Sequence, residues 1–137
     1  MNAHDKLDSE KAKTTVNAVL GPQPVTDEEG TVRWFWNGLL HREGGPAVEW
    51  VDGTREWRRN GELHREDGPS IEGVGGSKMW CRNGQPHRDD GPAFEGVDGY
   101  KSWCRNGLLH RDDGPAVEYA DGVKSWFRNG VKVEPFA

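Results

Sequence analysis

The fold is decided by a 23-residue stretch at residues 80–102, which reads WCRNGQPHRDDGPAFEGVDGYKS. The next 23 residues, 103–125, repeat it as WCRNGLLHRDDGPAVEYADGVKS. The same period extends outward, because tryptophan recurs every 23 residues at Trp34, Trp57, Trp80, Trp103 and Trp126. The chain therefore holds four full repeats and a fifth that stops early, and self-similarity at such a period is the signature of a repeat architecture.

Several slots of the repeat keep the same residue. Asn-Gly follows the tryptophan, as in Asn83-Gly84, then come His-Arg, as in His87-Arg88, and Gly-Pro, as in Gly91-Pro92. Asn-Gly is a strong hairpin signal, because a type I′ turn needs positive φ at both central residues. Asp-Gly, as at Asp98-Gly99, indicates a second turn, and Gly-Pro interrupts the strand between the two turns because proline has no N–H. The pattern predicts an all-β protein with two long strands per repeat, or alternatively three short ones.

The Asn-Gly turn also sets the pairing of the strands that it joins. Counting outward from the turn, Arg59 is expected opposite Glu62 and Arg58 opposite Leu63. Trp57 then lies beside His64 on one face of the sheet, and the residue after each tryptophan points to the other face. If every repeat adds two strands, equivalent side chains of successive repeats are about 10 Å apart.

That spacing argues against a disulfide, a metal site and a catalytic group. Cys81 and Cys104 occupy the same slot of adjacent repeats, and a disulfide needs Cα atoms within about 7 Å, so both are expected as free thiols. The repeated histidines are too far apart for two rings to share one zinc ion, and no Ser–His or Cys–His pair comes within reach. Neither an enzyme nor a cofactor is predicted; zinc on the histidines and calcium on the acidic doublets before Gly-Pro are the alternatives. The histidines concerned are His41, His64, His87 and His110.

Composition narrows the class of protein. Of the 137 residues, 33% are hydrophobic and 30% charged, with a mean hydropathy of -0.92. No apolar run is long enough for a membrane-spanning helix, and residues 1–20 show no signal-peptide pattern. Residues 31–137 carry 15 basic and 17 acidic side chains, without the positive excess of an unspecific nucleic-acid binder. A cytoplasmic protein that does not bind nucleic acid is therefore expected.

The repeat resembles the MORN repeat (membrane occupation and recognition nexus), a 23-residue hairpin with an aromatic residue, Asn-Gly and a closing Asp-Gly. The likeness covers residues 25–137, and residues 1–24 precede it as a tail or cap, flexible to about Glu10 and then a weak helix or extended cap. His-Arg-x-x-Gly-Pro-Ala replaces the Gly-x-Gly centre of the common form. The chain is therefore more similar to MORN-variant repeats of bacterial and viral proteins, some of them antitoxin-like. The resemblance implies an elongated antiparallel β-sheet solenoid that serves membrane attachment, scaffolding, dimerisation or partner binding.

Binding residues are sought where the repeats differ and the side chains are large, because slots shared by all repeats serve their stacking. Some of these residues belong to a stripe of cations two positions before or after each tryptophan. Such cations either cover the indole with their aliphatic stems or contribute cation–π contacts to a surface for an anionic partner. The predicted partner-binding residues are Trp36, Trp50, Arg58, Arg59, Arg82, Tyr100, Arg105, Tyr119 and Arg128.

The predicted function is non-catalytic binding to another protein, which is thereby inhibited or neutralised. The resemblance implies an antitoxin-like protein or a viral inhibitor of a host defence factor. The first alternative is attachment to an anionic membrane surface or scaffolding, which the acidic doublets in the same repeats oppose. The second is carbohydrate binding by tryptophan-rich hairpins, against which the missing secretion signal weighs. A homodimer is also compatible with the sequence, since an open sheet leaves its edges exposed.

Overall fold

The computed structural model describes residues 20–135, so the predicted tail and weak helix before residue 20 lie outside the described residues. The chain divides into two compact parts, Met1–Glu62 (the N-terminal half) and Leu63–Ala137 (the C-terminal half), and each is described by itself. Across the described range the protein is all-β, with short antiparallel strands. None of the described residues form a helix that is long and apolar enough to cross a membrane.

Most strands of the N-terminal half, all except β6, belong to one antiparallel sheet. Its main strands follow the order β1-β2-β4-β5, and β3 pairs with β2. β1 straddles the predicted start of the repeats at residue 25, because Gln23 and Pro24 already pair with Phe35 and Trp34. The strands are β1 (Gln23–Thr26), β2 (Val32–Trp36), β3 (Leu39–Leu40), β4 (Val48–Glu49), β5 (Arg55–Glu56) and β6 (Arg58–Arg59), and β7 (Glu62–Leu63) lies at the division between the halves.

The C-terminal half has a main sheet of order β8-β9-β12-β13-β16-β17-β18 and two separate hairpins, β10–β11 and β14–β15. A short 3-10 turn, Val74–Gly76, replaces one of the Asp-Gly turns. The strands are β8 (Ile71–Glu72), β9 (Lys78–Met79), β10 (Cys81–Arg82), β11 (Gln85–Pro86), β12 (Phe94–Glu95), β13 (Lys101–Ser102), β14 (Cys104–Arg105), β15 (Leu108–Leu109), β16 (Val117–Glu118), β17 (Lys124–Arg128) and β18 (Val131–Val133).

The tryptophan divides what was expected to be one long strand. The backbone N–H of Trp80 donates to the carbonyl of Ala93 in the main sheet at 2.7 Å, whereas its carbonyl accepts from the N–H of His87 in the hairpin at 3.0 Å. The residues before this tryptophan therefore belong to the sheet and those after it to the hairpin. In the first and fifth repeats the strand runs through Trp34 and Trp126 without a break.

The hairpin turns are those predicted from Asn-Gly. The five turn asparagines have φ between 48 and 52°, and the glycine that follows each of them also has positive φ, as a type I′ turn requires. In the third repeat Cys81 pairs with Pro86 and Arg82 with Gln85. This is the register that the turn predicts.

Small side chains form the core. The alanine of Gly-Pro-Ala is fully buried, whereas the tryptophans are only half-buried. In the second repeat Ser70 takes the alanine slot, and its hydroxyl donates to the carbonyl of Cys81 at 3.1 Å. Both cysteines are buried and neither is joined in a disulfide, and burial raises the pKa of Cys104. The buried apolar residues are Ala47, Val48, Cys81, Ala93, Cys104, Ala116 and Val117.

Candidate binding surface

The arginine of His-Arg lies at the centre of its repeat. In the third repeat the guanidinium carbon of Arg88 is 3.8 Å from the centroid of the Trp80 ring. Gly91 lies against the guanidinium, and a Cβ built on this glycine would come within 2.9 Å of the same carbon. Nη1 of Arg88 donates to the carbonyl of Pro92 at 3.1 Å. Gly-Pro is therefore the part of the repeat that leaves room for the guanidinium and accepts a hydrogen bond from it.

Two carboxylates complete this arginine site. Nε of Arg88 donates to Asp90 at 3.2 Å, and Nη1 lies 3.5 Å from Oε1 of Glu95. The acidic residue and the glutamate that recur in the repeat thus serve one guanidinium. The same guanidinium–indole contact is found at Arg42 with Trp34 (4.0 Å) and at Arg111 with Trp103 (3.9 Å).

A cation outside the stripe two positions from each tryptophan lies over the indole. The stripe residues two positions from tryptophan, such as Lys78 and Arg82, are exposed, and Arg82 forms an ion pair with Asp89 at 3.0 Å. The arginine that contacts the ring comes from His-Arg instead. The signal that identifies it is the joint recurrence of arginine, an acidic residue, Gly-Pro and glutamate at fixed spacing.

The repeated histidine joins one hairpin to the next. Nδ1 of His87 accepts a hydrogen bond from the backbone N–H of Asn106 at 2.9 Å, so the neutral ring carries its hydrogen on Nε2, which donates to Asp89 at 2.9 Å. The N–H of Gly107 donates to the carbonyl of Pro86 at 2.9 Å. Among residues 20–135 no three His, Cys, Asp or Glu side chains are grouped to hold a metal ion. The same bond between repeats joins Asn60 to His41 and Asn129 to His110.

Hydrogen bonds lower the pKa of the first aspartate of two acidic doublets. The bond from His87, and then the bond from Arg82, hold the pKa of Asp89 below its ordinary value of 3.8. His110 and Arg105 lower the pKa of Asp112 in the same way. Both carboxylates are therefore ionised and paired at neutral pH.

These two aspartates predict an acid-dependent part of the stability. A carboxyl whose pKa is depressed in the folded state stabilises that state above the ordinary pKa, and loses this effect as the pH falls through the depressed pKa. We expect the double variant Asp89→Asn/Asp112→Asn to lose less stability than the native chain as the pH falls from about 5 to below 3.8. Denaturant melts across that range measure the difference. Parallel curves for the two proteins would contradict the prediction.

The predicted binding residues of the N-terminal half differ in availability. The Trp36 ring packs against His41, with centroids 5.0 Å apart. Trp50 is 38% exposed, and its indole N–H donates to Glu56. Arg58 binds the same glutamate at 2.7 Å and the carbonyl of Gly61 at 2.9 Å, so its guanidinium is held within the structure. Arg59 is exposed.

In the C-terminal half the predicted arginines lie on the surface. Arg82 pairs with Asp89 and Arg105 pairs with Asp112, at 3.0 and 2.9 Å, and both guanidiniums are about half exposed. Arg128 is also exposed. The two paired arginines present alternating charge at the hairpins, without a net positive row.

The predicted tyrosines of this half belong to a row of rings, here called the aromatic strip (Phe94, Tyr100 and Tyr119). Ring centroids are 5.7 Å apart between Phe94 and Tyr100 and 5.6 Å apart between Tyr100 and Tyr119, both edge to face. Tyr119 is 45% exposed, and two valines beside the turns, Val97 and Val123, are more exposed still. Sequence reasoning missed the valines, because single exposed valines carry no pattern until the turns are placed.

A charged groove of about 570 Å³ also opens in the C-terminal half. Its walls carry both signs of charge, and the buried thiol of Cys104 is at its lining. The lining residues are Arg88, Asp89, Asp90, Gly91, Pro92, Trp103, Cys104, Arg105, His110, Arg111, Asp112 and Asp113.

Comparison with known proteins adds no relative, because no family model matches the chain and no curated protein matches it significantly.

Proposed function

We propose that this chain is a non-catalytic repeat protein that binds another protein through the aromatic strip and thereby inhibits or neutralises it. The observation that carries the proposal is the row of edge-to-face rings on the C-terminal half, of which Phe94 and Tyr100 are half-buried and Tyr119 is exposed. Protein interfaces are enriched in tyrosine, because a rigid amphipathic ring gives large contact area at low entropic cost. Val97 and Val123, 66% and 55% exposed, extend the apolar surface beside the rings.

The proposal includes the finer architecture, a MORN-variant solenoid of repeated hairpins. It is supported by the equivalent hydrogen bonds that each hairpin makes to the next in the C-terminal half, from Asn106 to His87 and from Asn129 to His110. Repeat arrays of this kind present one extended face to a partner.

Attachment to an anionic membrane is the weaker candidate. Arg82 and Arg105, two cations that would meet the lipid, are each bonded to an aspartate of their own repeat. Their charge is therefore compensated locally, which reduces the attraction to anionic lipid.

The test is capture of the partner followed by reconstitution. Tagged chain is incubated with extract of the native host at mild salt, and a stoichiometric partner is identified by mass spectrometry, purified and titrated by calorimetry. We expect the double variant Tyr100→Ala/Tyr119→Ala to weaken binding by at least a factor of ten, as for loss of interface anchors.

Leu108→Ala is the matched control, because Leu108 is 48% exposed, much like Tyr119, but lies at an Asn-Gly hairpin outside the aromatic strip. It should bind as the native chain does. Failure to recover any stoichiometric partner, or equal affinity of the tyrosine variant and the native chain, would refute the proposal.

A further inference from the structure

The main sheet of the C-terminal half carries a row of alternating charges, here called the charge ladder. Directly opposed residues of antiparallel strands lie on the same face of the sheet. The register places Lys78 between Glu72 and Glu95, and Lys101 between Glu95 and Glu118. Across six strands the ladder reads Glu72, Lys78, Glu95, Lys101, Glu118 and Lys124.

The lysines of this ladder are not neutralised by the glutamates beside them. Each glutamate instead faces the arginine of its own repeat, as Glu95 does with Arg88 and Glu118 with Arg111. The three lysines are exposed, and within residues 20–135 none of them forms an ion pair. The glutamates are still about one third exposed, and a carboxylate retains free acceptor sites after one or two hydrogen bonds.

The order of charges makes the ladder complementary to itself. Rotation by a half turn about an axis along the strands, between Glu95 and Lys101, reverses the ladder and turns its face toward the first copy. Glu72 then meets Lys124 of the second copy, Lys78 meets Glu118, and Glu95 meets Lys101. Every contact joins opposite charges and occurs twice, as a two-fold interface requires.

From this we infer that the chain associates with a second copy of itself through the charge ladder, in a two-fold dimer with the strands of the two sheets aligned. Neighbouring strands are about 4.8 Å apart, so the ladder extends about 24 Å from Glu72 to Lys124. A patch of this size and polarity makes a weak, transient contact rather than an obligate one. Its strength depends on ionic strength, because exposed charges are screened by salt.

A second copy fits the ladder better than a nucleic acid does. The interleaved glutamates would face the phosphates of a duplex, which carries one charge about every 1.7 Å of its axis. A partner that fits the ladder must instead carry separate charges of alternating sign, spaced like neighbouring strands. The ladder of a second copy has this arrangement. The aromatic strip is on the opposite face, since Phe94 and Glu95 are consecutive in strand β12 and the Tyr100 ring packs against Phe94. The dimer therefore leaves the proposed partner surface open.

Sedimentation velocity of the full chain over a concentration series tests the inference. We expect reversible dimers at about 20 mM salt that dissociate at about 500 mM. Lys101→Glu should weaken dimerisation by at least a factor of ten, because the central contacts become glutamate against glutamate. The matched control is Lys132→Glu, the same charge change at an exposed lysine outside the ladder, which should dimerise as the native chain does.

A charge exchange gives the second measurement. Glu95→Lys should also remain monomeric, but an equimolar mixture of Glu95→Lys and Lys101→Glu should form the heterodimer, since all opposed charges then differ in sign. If Glu95→Lys does not fold by circular dichroism, the comparison of Lys101→Glu with Lys132→Glu decides alone. A native chain that stays monomeric at low salt up to about 0.5 mM, or dimers that Lys101→Glu leaves unchanged, would overturn the inference. Either result leaves the aromatic strip and its partner unaffected.

Discussion

Replacing Trp80 with alanine is expected to lower the free energy of unfolding by about 3–5 kcal/mol, the range found when large aromatic side chains are removed from packed sites. Trp80 is half-buried, yet the loss of the ring also leaves Arg88 without the surface on which its guanidinium lies. The backbone at this position makes the bend between sheet and hairpin, so the cavity cannot close by a simple shift of the strand. Equilibrium urea denaturation measures the change.

Trp126→Ala is the control for this prediction. In the fifth repeat Glu134 occupies the slot that the arginine fills in the others. Removal of the Trp126 ring therefore leaves no arginine of its own repeat without a ring contact. Among residues 20–135 no further hairpin follows the one that contains this tryptophan. We expect a clearly smaller loss of stability than for Trp80→Ala. Equal losses would show that the arginine and the neighbouring repeats contribute nothing to the effect.

The second large effect is expected from Arg88→Lys, which should lower the free energy of unfolding by about 2 kcal/mol. The substitution keeps the positive charge but removes the planar fork, and a lysine ammonium cannot lie flat on an indole while it donates in several directions. The guanidinium is three-quarters buried and bonds a carbonyl and two carboxylates, so its partners are left incompletely paired. Thermal and urea melts at neutral pH measure the loss.

Arg82→Lys tests whether the charge alone accounts for that effect. Arg82 is 54% exposed and pairs with one exposed aspartate, and such surface pairs contribute at most about 1 kcal/mol. The change should therefore be small. A loss as large as that of Arg88→Lys would mean that arginine at the surface of the hairpin matters as much as arginine under the tryptophan.

The hairpins could be predicted from the sequence because the residues that determine each turn are adjacent in the chain. Asn-Gly favours a type I′ turn, which requires positive φ at two consecutive residues. The turn then sets the register in which Cys81 pairs with Pro86. The break at Trp80 could not be predicted in the same way. It depends on which partner each half of the strand finds, Ala93 or His87, and these contacts are not visible in the alternation of residues.

The contact of the repeated arginine with tryptophan could not be predicted from the sequence. The stripe of cations two positions from each tryptophan draws attention to the wrong part of the hairpin for this contact, because Arg88 approaches the Trp80 ring from just beyond the return strand β11. The histidine likewise does more than lie beside a tryptophan, because Nδ1 of His87 accepts a hydrogen bond from the backbone N–H of Asn106 in the next repeat. Both contacts follow from the stacking of repeats, which periodicity predicts without giving its geometry.

The charge ladder could be recognised only from the register of the main sheet, because the register of the hairpins does not place its residues side by side. Lys101 and Glu118 are 17 residues apart and belong to different repeats, and only the pairing of β13 with β16 places them side by side. The aromatic strip has the same origin, because Tyr100 comes before one strand and Tyr119 follows the other. Surface patterns across strands become readable only when the strand order is known.

The bond from Asn106 to His87 closes a loop of only 19 residues, and its counterpart from Asn129 to His110 closes another of the same length. Because such contacts never reach beyond the adjacent repeat, the C-terminal half is expected to come apart sequentially when it is pulled from its end. Each rupture would release 23 residues, about 80 Å of chain, so a single-molecule force trace should show teeth of even spacing. Under force, this part of the chain is therefore expected to unfold one repeat after another.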